Sequence, residues 1–508
     1  MGDSGESDVL VVGGGPSGLF AAAELARHGV RARVVERERS PHHQARATAL
    51  QPATLEILKQ AGFVDQVLEA SEHLGYARVF DAGLRCVAEL AFAGVGCPWE
   101  FQCSLPQWRT EQILAGRLAE LGGSVERGVT VVSLTERDDG VLAELEDADG
   151  TVRSAEAAWV IGAGGAHSIT RESMAEELAG STYTGTGLAG DVRVSCGLPR
   201  DGSALIASPD GYVLLAPLPG ERWLTFVGEL DETEAAMLAS DCSHDSVAAA
   251  IGRRIPATLL TLDDVGWASM FRMHRRLAPR LADKRRFLLG DAGHLSSPFG
   301  GEGLNSGLHD AHNLAWKLAL RLHGHARPGL VETFAAERLA ADQHVLEVSD
   351  RLHQLASVSV EAARAGSFPA PPAPEELLRL ARSRSMLDVS YAGSPLIGEY
   401  LAPGAPSLSS PAPGDRYPDR TSLSGTRHHL LLFGTPPDGD VAYLRRRWSG
   451  LVDIVQAAGD PRRAGLAEDG AILVRPDGYI GFRASPADHA GLTAMDSHLD
   501  SYLVPASS

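Results

Sequence analysis

Asp8-Val-Leu-Val-Val-Gly-Gly-Gly-Pro-Ser-Gly-Leu19 is an apolar strand that runs straight into glycines and then into a helix. Gly13, Gly15 and Gly18 carry the spacing of a dinucleotide-binding turn. The first permits a tight turn, the second lets a pyrophosphate approach backbone, and the third lets helix pack on strand. The helix expected from Ser17 to His28 presents free N–H groups and its positive dipole end to phosphate. Val30-Arg-Ala-Arg-Val-Val-Glu36 reads as a second strand ending in an acid, about 20 residues on, where a ribose hydroxyl finds its partner. A bare glycine pattern is weak. With strand, helix, second strand and acid in place it is a nucleotide site.

A second segment narrows the nucleotide. Phe287-Leu-Leu-Gly-Asp-Ala-Gly-His294 continues through Pro298-Phe-Gly-Gly-Glu-Gly-Leu-Asn305 to Asp310. It supplies an acid, Asp291, for ribityl hydroxyls and a glycine-rich helix start for a pyrophosphate and a ring. The two segments together specify FAD. Backbone N–H groups at Gly303, Leu304 and Asn305 can stabilise negative charge on the isoalloxazine. The blander alternatives are Asp291 as a surface helix cap and Asn305 as a plain N-cap. No second strand–GxGxxG–helix unit is present, so no second nucleotide-binding domain is expected.

At 508 residues the chain is long enough for two or three domains, and 44% hydrophobic with 22% charged residues is ordinary globular chemistry. A net charge of -19 argues against nucleic acid and against an anionic membrane as partner. The acidic start leads directly into the first core strand, and no apolar run approaches the roughly 20 residues of a spanning helix. A cytoplasmic protein without signal peptide is expected. Cys86, Cys97, Cys103, Cys196 and Cys242 form no CxxC pair, which suits reduced, structural thiols.

Along the chain the periodicity predicts an α/β protein with a discontinuous, Rossmann-like FAD-binding domain at 1–75, 105–175 and 276–350. A substrate-binding sheet domain is expected from 76–104 and 176–275, where strand patterns such as Tyr212-Val-Leu-Leu-Ala216 and Trp223-Leu-Thr-Phe-Val227 dominate. A helical connection is expected over 351–402, with the proline-rich breaker Phe368-Pro-Ala-Pro-Pro-Ala-Pro374 in it. A separable C-terminal α/β domain follows at 403–508.

These motifs resemble the single-component FAD-dependent aromatic hydroxylases, the class of para-hydroxybenzoate and phenol hydroxylases, over essentially the whole chain. The likeness is greatest to the subgroup acting on aromatic polyketides in bacterial antibiotic pathways. The match rests on Gly13 to Gly18 with Ser17, Glu36 and Arg37, and on Gly290-Asp291 with Pro298 to Asn305. Arg46 in Gln44-Ala-Arg-Ala47 and Gln107 in Leu105-Pro-Gln107 fall where the family places flavin-contacting residues. Val131 falls on a strand that offers backbone to the adenine. Met386-Leu-Asp-Val-Ser-Tyr-Ala-Gly-Ser394 and Arg475-Pro-Asp-Gly-Tyr479 resemble the polyketide subgroup and its C-terminal domain, which is thioredoxin-like without redox cysteines. The resemblance implies that NAD(P)H reduces FAD, that O2 adds to give a C4a-hydroperoxide, and that one oxygen passes to an electron-rich ring.

Two positions depart from the family pattern. Trp159-Val-Ile-Gly-Ala-Gly-Gly-Ala-His-Ser-Ile-Thr-Arg171 has Gly164 where an acid is usual, with Gly165, Ser168 and Arg171 retained, and Glu302 stands where glutamine is commoner. Trp223, Phe226, Trp267 and Phe271 are candidates for an aromatic substrate pocket, and Arg46 and His274 for polarising a phenol or ketone. Arg275, Arg276, Arg285 and Arg286 form a basic stretch that reads as a solvated face or as a guide for a nicotinamide phosphate. His294, His309 and His312 lack metal-ligand spacing and are expected to pack, so no metal is expected. The leading expectation is hydroxylation of a polycyclic aromatic polyketide. Baeyer–Villiger oxygenation or epoxidation with the same machinery stands beside it, as does a flavin-binding accessory protein without turnover. A homodimer is compatible with either enzyme.

Overall fold

The computed structural model describes residues 6–42, 47–183, 185–404, 410–423 and 425–506. The strand Glu6–Val12 (β1) is apolar enough to be buried on both faces, and it lies between two parallel neighbours, Ala32–Glu36 (β2) and Val152–Gly162. Pro16–Arg27 (α1) starts at a proline, whose missing N–H costs nothing at a helix start, and buries Gly18 to Leu25 against the sheet. Arg286–Leu288 and Val125–Arg127 extend the parallel core on either side, the hairpin strands Val129–Glu136 and Val141–Asp147 pack beside it, and the short antiparallel strand Ala282–Asp283 completes an eight-stranded sheet. The carboxyl ends of these strands face one cavity, as open parallel sheets require.

A separate seven-stranded sheet joins Tyr76–Asp81 and Cys86–Ala91 to five strands between Gly187 and Phe271. Strand alternation sets its two faces. One carries Leu188, Val213, Trp223 and Val227 into a core with the helices Glu232–Ser240 and His244–Gly252; the other presents Ala216, Leu224 and Phe226 to the cavity. Those two helices interrupt a stretch whose sequence reads mainly as strand. Alanine-rich runs such as Glu234-Ala-Ala-Met-Leu238 carry too little periodicity to announce them, although Asp231 and Glu234 form a reciprocal capping box.

The long helices Gly303–Leu322 and Thr333–Ala365 follow. The last sheet is five-stranded, in the order Gly398–Leu401, Ile480–Ser485, Gly470–Val474, His428–Phe433 and Val452–Gln456. Its edge strand Gly398–Leu401 comes from the segment expected to be a helical connection, because it pairs in parallel with a strand 84 residues away that local sequence does not reveal. Among the described residues no helix is long and apolar enough to cross a membrane.

Buried charge joins this last sheet to the rest. Arg475 pairs with Glu337 (2.6 Å) of one long helix, and Lys317 of the other reaches the same Glu337 at 2.7 Å. Asp477 accepts from Asn313 and from the Trp316 indole, each at 3.2 Å. Lys317, Glu337, Arg475 and Asp477 are all at most 3% exposed. Removing one partner strands the others without water, at about 3–5 kcal/mol. Arg475→Met is therefore expected to lower the thermal unfolding midpoint far more than Arg427→Met, which breaks the solvated Arg427–Asp453 pair worth at most about 1 kcal/mol. Equal shifts for the two variants in a fluorimetric melt would refute this account.

Candidate active site

The glycine turn after β1 is built by close approach. Gly13 has φ +117°, and a Cβ there would lie 2.3 Å from the Ala163 carbonyl; a Cβ on Gly18 would lie 2.0 Å from the Gly13 carbonyl. Gly15 differs, since a Cβ there would meet nothing within 4 Å. Its open side faces a cavity of about 1420 Å³. Gly15 is the N-cap of α1 without a side-chain cap, so the first-turn N–H groups stay available to an anion. Glu36, at the end of β2, is fixed on the cavity wall by accepting from the Gly14 N–H (2.6 Å) and the Glu38 N–H (2.9 Å). Arg37, Gln107 and Val131 line the same region, with the Gln107 amide donating to Glu111 at 2.9 Å.

The second motif meets the first directly. Arg286–Leu288 pairs in parallel with Val152–Gly162, so the turn at Gly290 emerges beside Gly13 and α1. Ser17 sits in a notch between Gly290 and Gly307, where a Cβ would fall 2.6 Å and 2.2 Å from its hydroxyl. Asp291 projects into the cavity, where it is exposed, and receives no hydrogen bond from the described residues. Pro298, Gly303 and Leu304 also form the wall. Asn305 stands behind it. Its side chain accepts from the Gln51 N–H (2.8 Å) and donates to the carbonyls of Ala49 (2.8 Å) and Gly301 (2.6 Å), tying the helix start to the neighbouring segment.

Gly164 lines the cavity and leaves room for a side chain, whose nearest neighbours would be Val12 O at 3.8 Å and Ser168 Cα at 3.9 Å. Below it the Arg171 guanidinium is buried and finds only carbonyl acceptors, Ala166 (2.6 Å) and Ala292 (3.0 Å). Phe226, Trp267 and Phe271 reach the cavity, Phe226 and Phe271 edge to face at 5.6 Å. Trp223 does not. It is one residue out of phase with Leu224, so it lies on the opposite face of the sheet, under the Arg200 guanidinium at 4.9 Å.

His274 lines the cavity with Nδ1 2.9 Å from the Thr182 hydroxyl. Arg276 donates into that hydroxyl at 2.9 Å, which turns its proton toward Nδ1 and places the ring proton of neutral His274 on Nε2. Burial, with Arg276 and Arg272 nearby, lowers the His274 pKa and keeps the ring neutral. Arg46 lies outside the described residues. The basic stretch divides: Arg276 lines the cavity, Arg275 reaches Asp350, Arg285 stacks on Trp159, and Arg286 is buried on Asp283 and Glu136. His294, His309 and His312 are buried packing residues, with His294 on Asp310 and His312 on Glu24, each at 2.8 Å. Sequence reasoning missed Arg384 and Gln102, which meet across the cavity wall at 3.4 Å. Neither belongs to a motif, and no local signal could have paired two residues 282 positions apart.

The donor set fits FAD. A glycine turn with open space over Gly15, uncapped helix starts at α1 and at Gly303, and an unpartnered Asp291 carboxylate together answer pyrophosphate, ring and ribityl hydroxyls. Comparison with known proteins agrees. Residues 6–349 match the FAD binding domain family and residues 405–501 match the aromatic-ring hydroxylase C-terminal family. The 6-methylpretetramide 4-monooxygenase of Streptomyces rimosus is 33% identical, covering 98% of this chain and 94% of that protein. The anhydrotetracycline hydroxylase structure from Streptomyces rimosus superposes with TM-score 0.77 at 29% identity, covering 99% of this chain and 100% of that one. The ternary complex of aklavinone-11 hydroxylase with FAD and aklavinone gives TM-score 0.80 at 26% identity, over 98% and 99%. The chain belongs to the FAD-binding-domain family and is an FAD-dependent monooxygenase with an aromatic-ring-hydroxylase C-terminal domain.

Proposed function

We propose that this monooxygenase inserts one oxygen atom of O2 into a polycyclic aromatic polyketide in antibiotic biosynthesis, with NADPH or NADH as transient reductant. The observation that carries the reading is the continuity of the cavity. At about 1420 Å³ it exceeds the roughly 300–1,000 Å³ of ordinary ligand pockets, and it runs from the Gly15 turn to the apolar face of the seven-stranded sheet. Leu214, Ala216, Leu224, Phe226, Trp267 and Phe271 make that face broad and nearly free of charge, which suits flat fused rings. Relatives named for 6-methylpretetramide and anhydrotetracycline, and the aklavinone complex, support the same class of ligand.

When bound, FAD supplies the electron transfer and the oxygen activation. The chain's residues do the rest. Asp291 would accept from ribityl hydroxyls, and the N–H groups at Gly303 and Leu304 would offer a positive helix end to negative charge on the ring. The sheet face orients the rings and excludes water. His274 holds a proton on Nε2 at the cavity wall, where it can donate to a ligand oxygen. Arg171, Arg276 and Gly164 line the same cavity, where they would meet the nicotinamide. The residue spans 1–75, 105–175 and 276–350, 76–104 with 176–275, and a thioredoxin-like 403–508, are proposed as the units of this division of labour.

The test is anaerobic NADPH titration of the yellow protein with a panel of polycyclic phenols. Reduction accelerated by one of them, and a product heavier by one oxygen in air, is the expected result. A flavin that no combination bleaches would overturn the reading. Asp291→Ala should purify with at least about tenfold weaker FAD affinity, since a hydrogen bond to a charged group is worth about 1.5–3 kcal/mol; full occupancy from the 450 nm to 280 nm absorbance ratio would remove Asp291 from the role. Gly164→Asp should fold normally, given the space over Gly164, and should quicken flavin reduction by restoring the acid usual at that position. An unchanged or slower stopped-flow rate would mean the glycine is preferred.

A further inference from the structure

Beyond Asp291, the cavity wall holds a carboxyl without a partner and a guanidinium only partly satisfied. The carboxyl of Glu302, the N-cap residue of Gly303–Leu322, is 1% exposed, and neither oxygen receives a hydrogen bond. It is wedged over Gly300, where a Cβ would meet Glu302 Oε1 and the Leu352 side chain at 2.9 Å each. Arg384 closes the helix Pro374–Arg384 with its Nε buried and without an acceptor. Its guanidinium lies 5.7 Å from the Phe92 ring and, among the described residues, donates only to Gln102 Oε1, at 3.4 Å. Both residues line the cavity, yet no ion pair joins Arg384 to Glu302 or to another carboxylate among the described residues.

Such a pair is informative because it is open. An ionised carboxylate held out of water beside a guanidinium without a counter-ion would close on it, since a buried charge left unpaired costs several kcal/mol. The Gln102 amide is not available to replace the missing partner: it donates to Gln51 Oε1 at 2.6 Å, and Gln51 in turn donates to the Gly300 carbonyl at 2.6 Å. Asp388, the other acid near Glu302, is already held by His344 at 3.3 Å and by the Ser383 hydroxyl.

We propose that Glu302 is a neutral carboxylic acid that leaves Arg384 uncompensated, so that Arg384 receives an anionic oxygen of the ligand, an ionised phenol, enol or carboxylate, at that end of the cavity. Glu302 is then a positioning residue, acting on the ligand through Arg384. Burial holds the Glu302 carboxyl well above the usual range, with Asp388 adding to the rise and Arg384 opposing it. Arg384 and Asp388 are the charges that act on it among the described residues. Burial also lowers Arg384, to about 10, which still leaves it a cation at neutral pH. The inference rests on the polycyclic reading for the occupant of the cavity and adds the charge that occupant carries.

The experiment uses the FAD-loaded protein and a matched pair of flat probes, anthraquinone-2-sulfonate, which is an anion, and the uncharged anthraquinone-2-sulfonamide. Binding is read from the flavin absorbance at neutral pH. The sulfonate is expected to bind at least about tenfold more tightly, a difference of about 1.4 kcal/mol, and Arg384→Gln to abolish that preference. Glu302→Gln, neutral by construction, is expected to keep it within twofold. The infrared difference spectrum of wild type against Glu302→Gln should show the carbonyl stretch of a protonated carboxyl. Equal binding of the two probes, a preference that survives Arg384→Gln, tighter sulfonate binding by Glu302→Gln, or a carboxylate band in place of the acid band each overturns the inference while leaving the polycyclic reading intact. If neither probe binds, both fall.

Discussion

One carboxylate holds the two halves of the flavin site in register. Asp310, fully buried on the helix Gly303–Leu322, accepts from the Gly290 N–H at 2.9 Å, from His294 at 2.8 Å and from Arg338 Nε at 2.7 Å. The first bond fixes the turn that carries Asp291, the second fixes the strand after it, and the third reaches the long helix Thr333–Ala365. Arg338 continues to Asp342 at 2.7 Å and to the Tyr391 hydroxyl at 3.1 Å. Beside it on the same helix, Glu337 binds Lys317, Arg475 and Ser394. A single run of buried ions therefore leads from the ribityl end of the cavity to the C-terminal sheet.

The charges in that run balance locally, which is why it can exist out of water. Asp310 is drawn below the usual carboxylate range by Arg338 and by His294. His294 is raised to about 9, because the carboxylates of Asp342 and Asp310 outweigh the cost of its burial. Its folded-state pKa lies above the ordinary value, so its contribution to stability is complete below about 6.5 and is lost as pH rises through about 9. With a guanidinium and an imidazolium between them, Asp310 and Asp342 have no unbalanced negative charge to offer a metal ion, although all three acidic and imidazole groups lie close together.

How much of this was legible in the sequence follows from the range over which each feature acts. Gly13, Gly18 and Glu36 act within one strand–turn–helix unit, so spacing alone places them. Period two distinguishes Trp223 from Leu224 only when it is known which face meets the cavity, and that depends on the parallel pairing of Gly202–Ser208 with Tyr76–Asp81, more than a hundred residues upstream. Arg384 and Gln102 are further from any rule. Each is ordinary in its own segment, and only the tertiary approach of Pro374–Arg384 to the cavity makes them neighbours. Glu302 was visible as a departure, but its sign was not: an acid in a sequence reads as negative, and only burial without a partner turns it into a neutral group.

The buried ions also explain why the C-terminal sheet accompanies this site rather than hanging from a linker. An apolar interface of the same area would hold the sheet as firmly, but apolar contact is non-directional and tolerates sliding. The Glu337 carboxylate cannot slide, because Arg475, Lys317, Asn313 and Ser394 all direct bonds to its two oxygens within 2.9 Å. Any shift of the sheet breaks a charged bond in a place water cannot repair. Glu337 and Arg338 are consecutive, so the same constraint is passed to Asp310, and from there to the Gly290 turn. A sheet whose described residues do not line the cavity thereby fixes, through two adjacent helix residues, where Asp291 can stand.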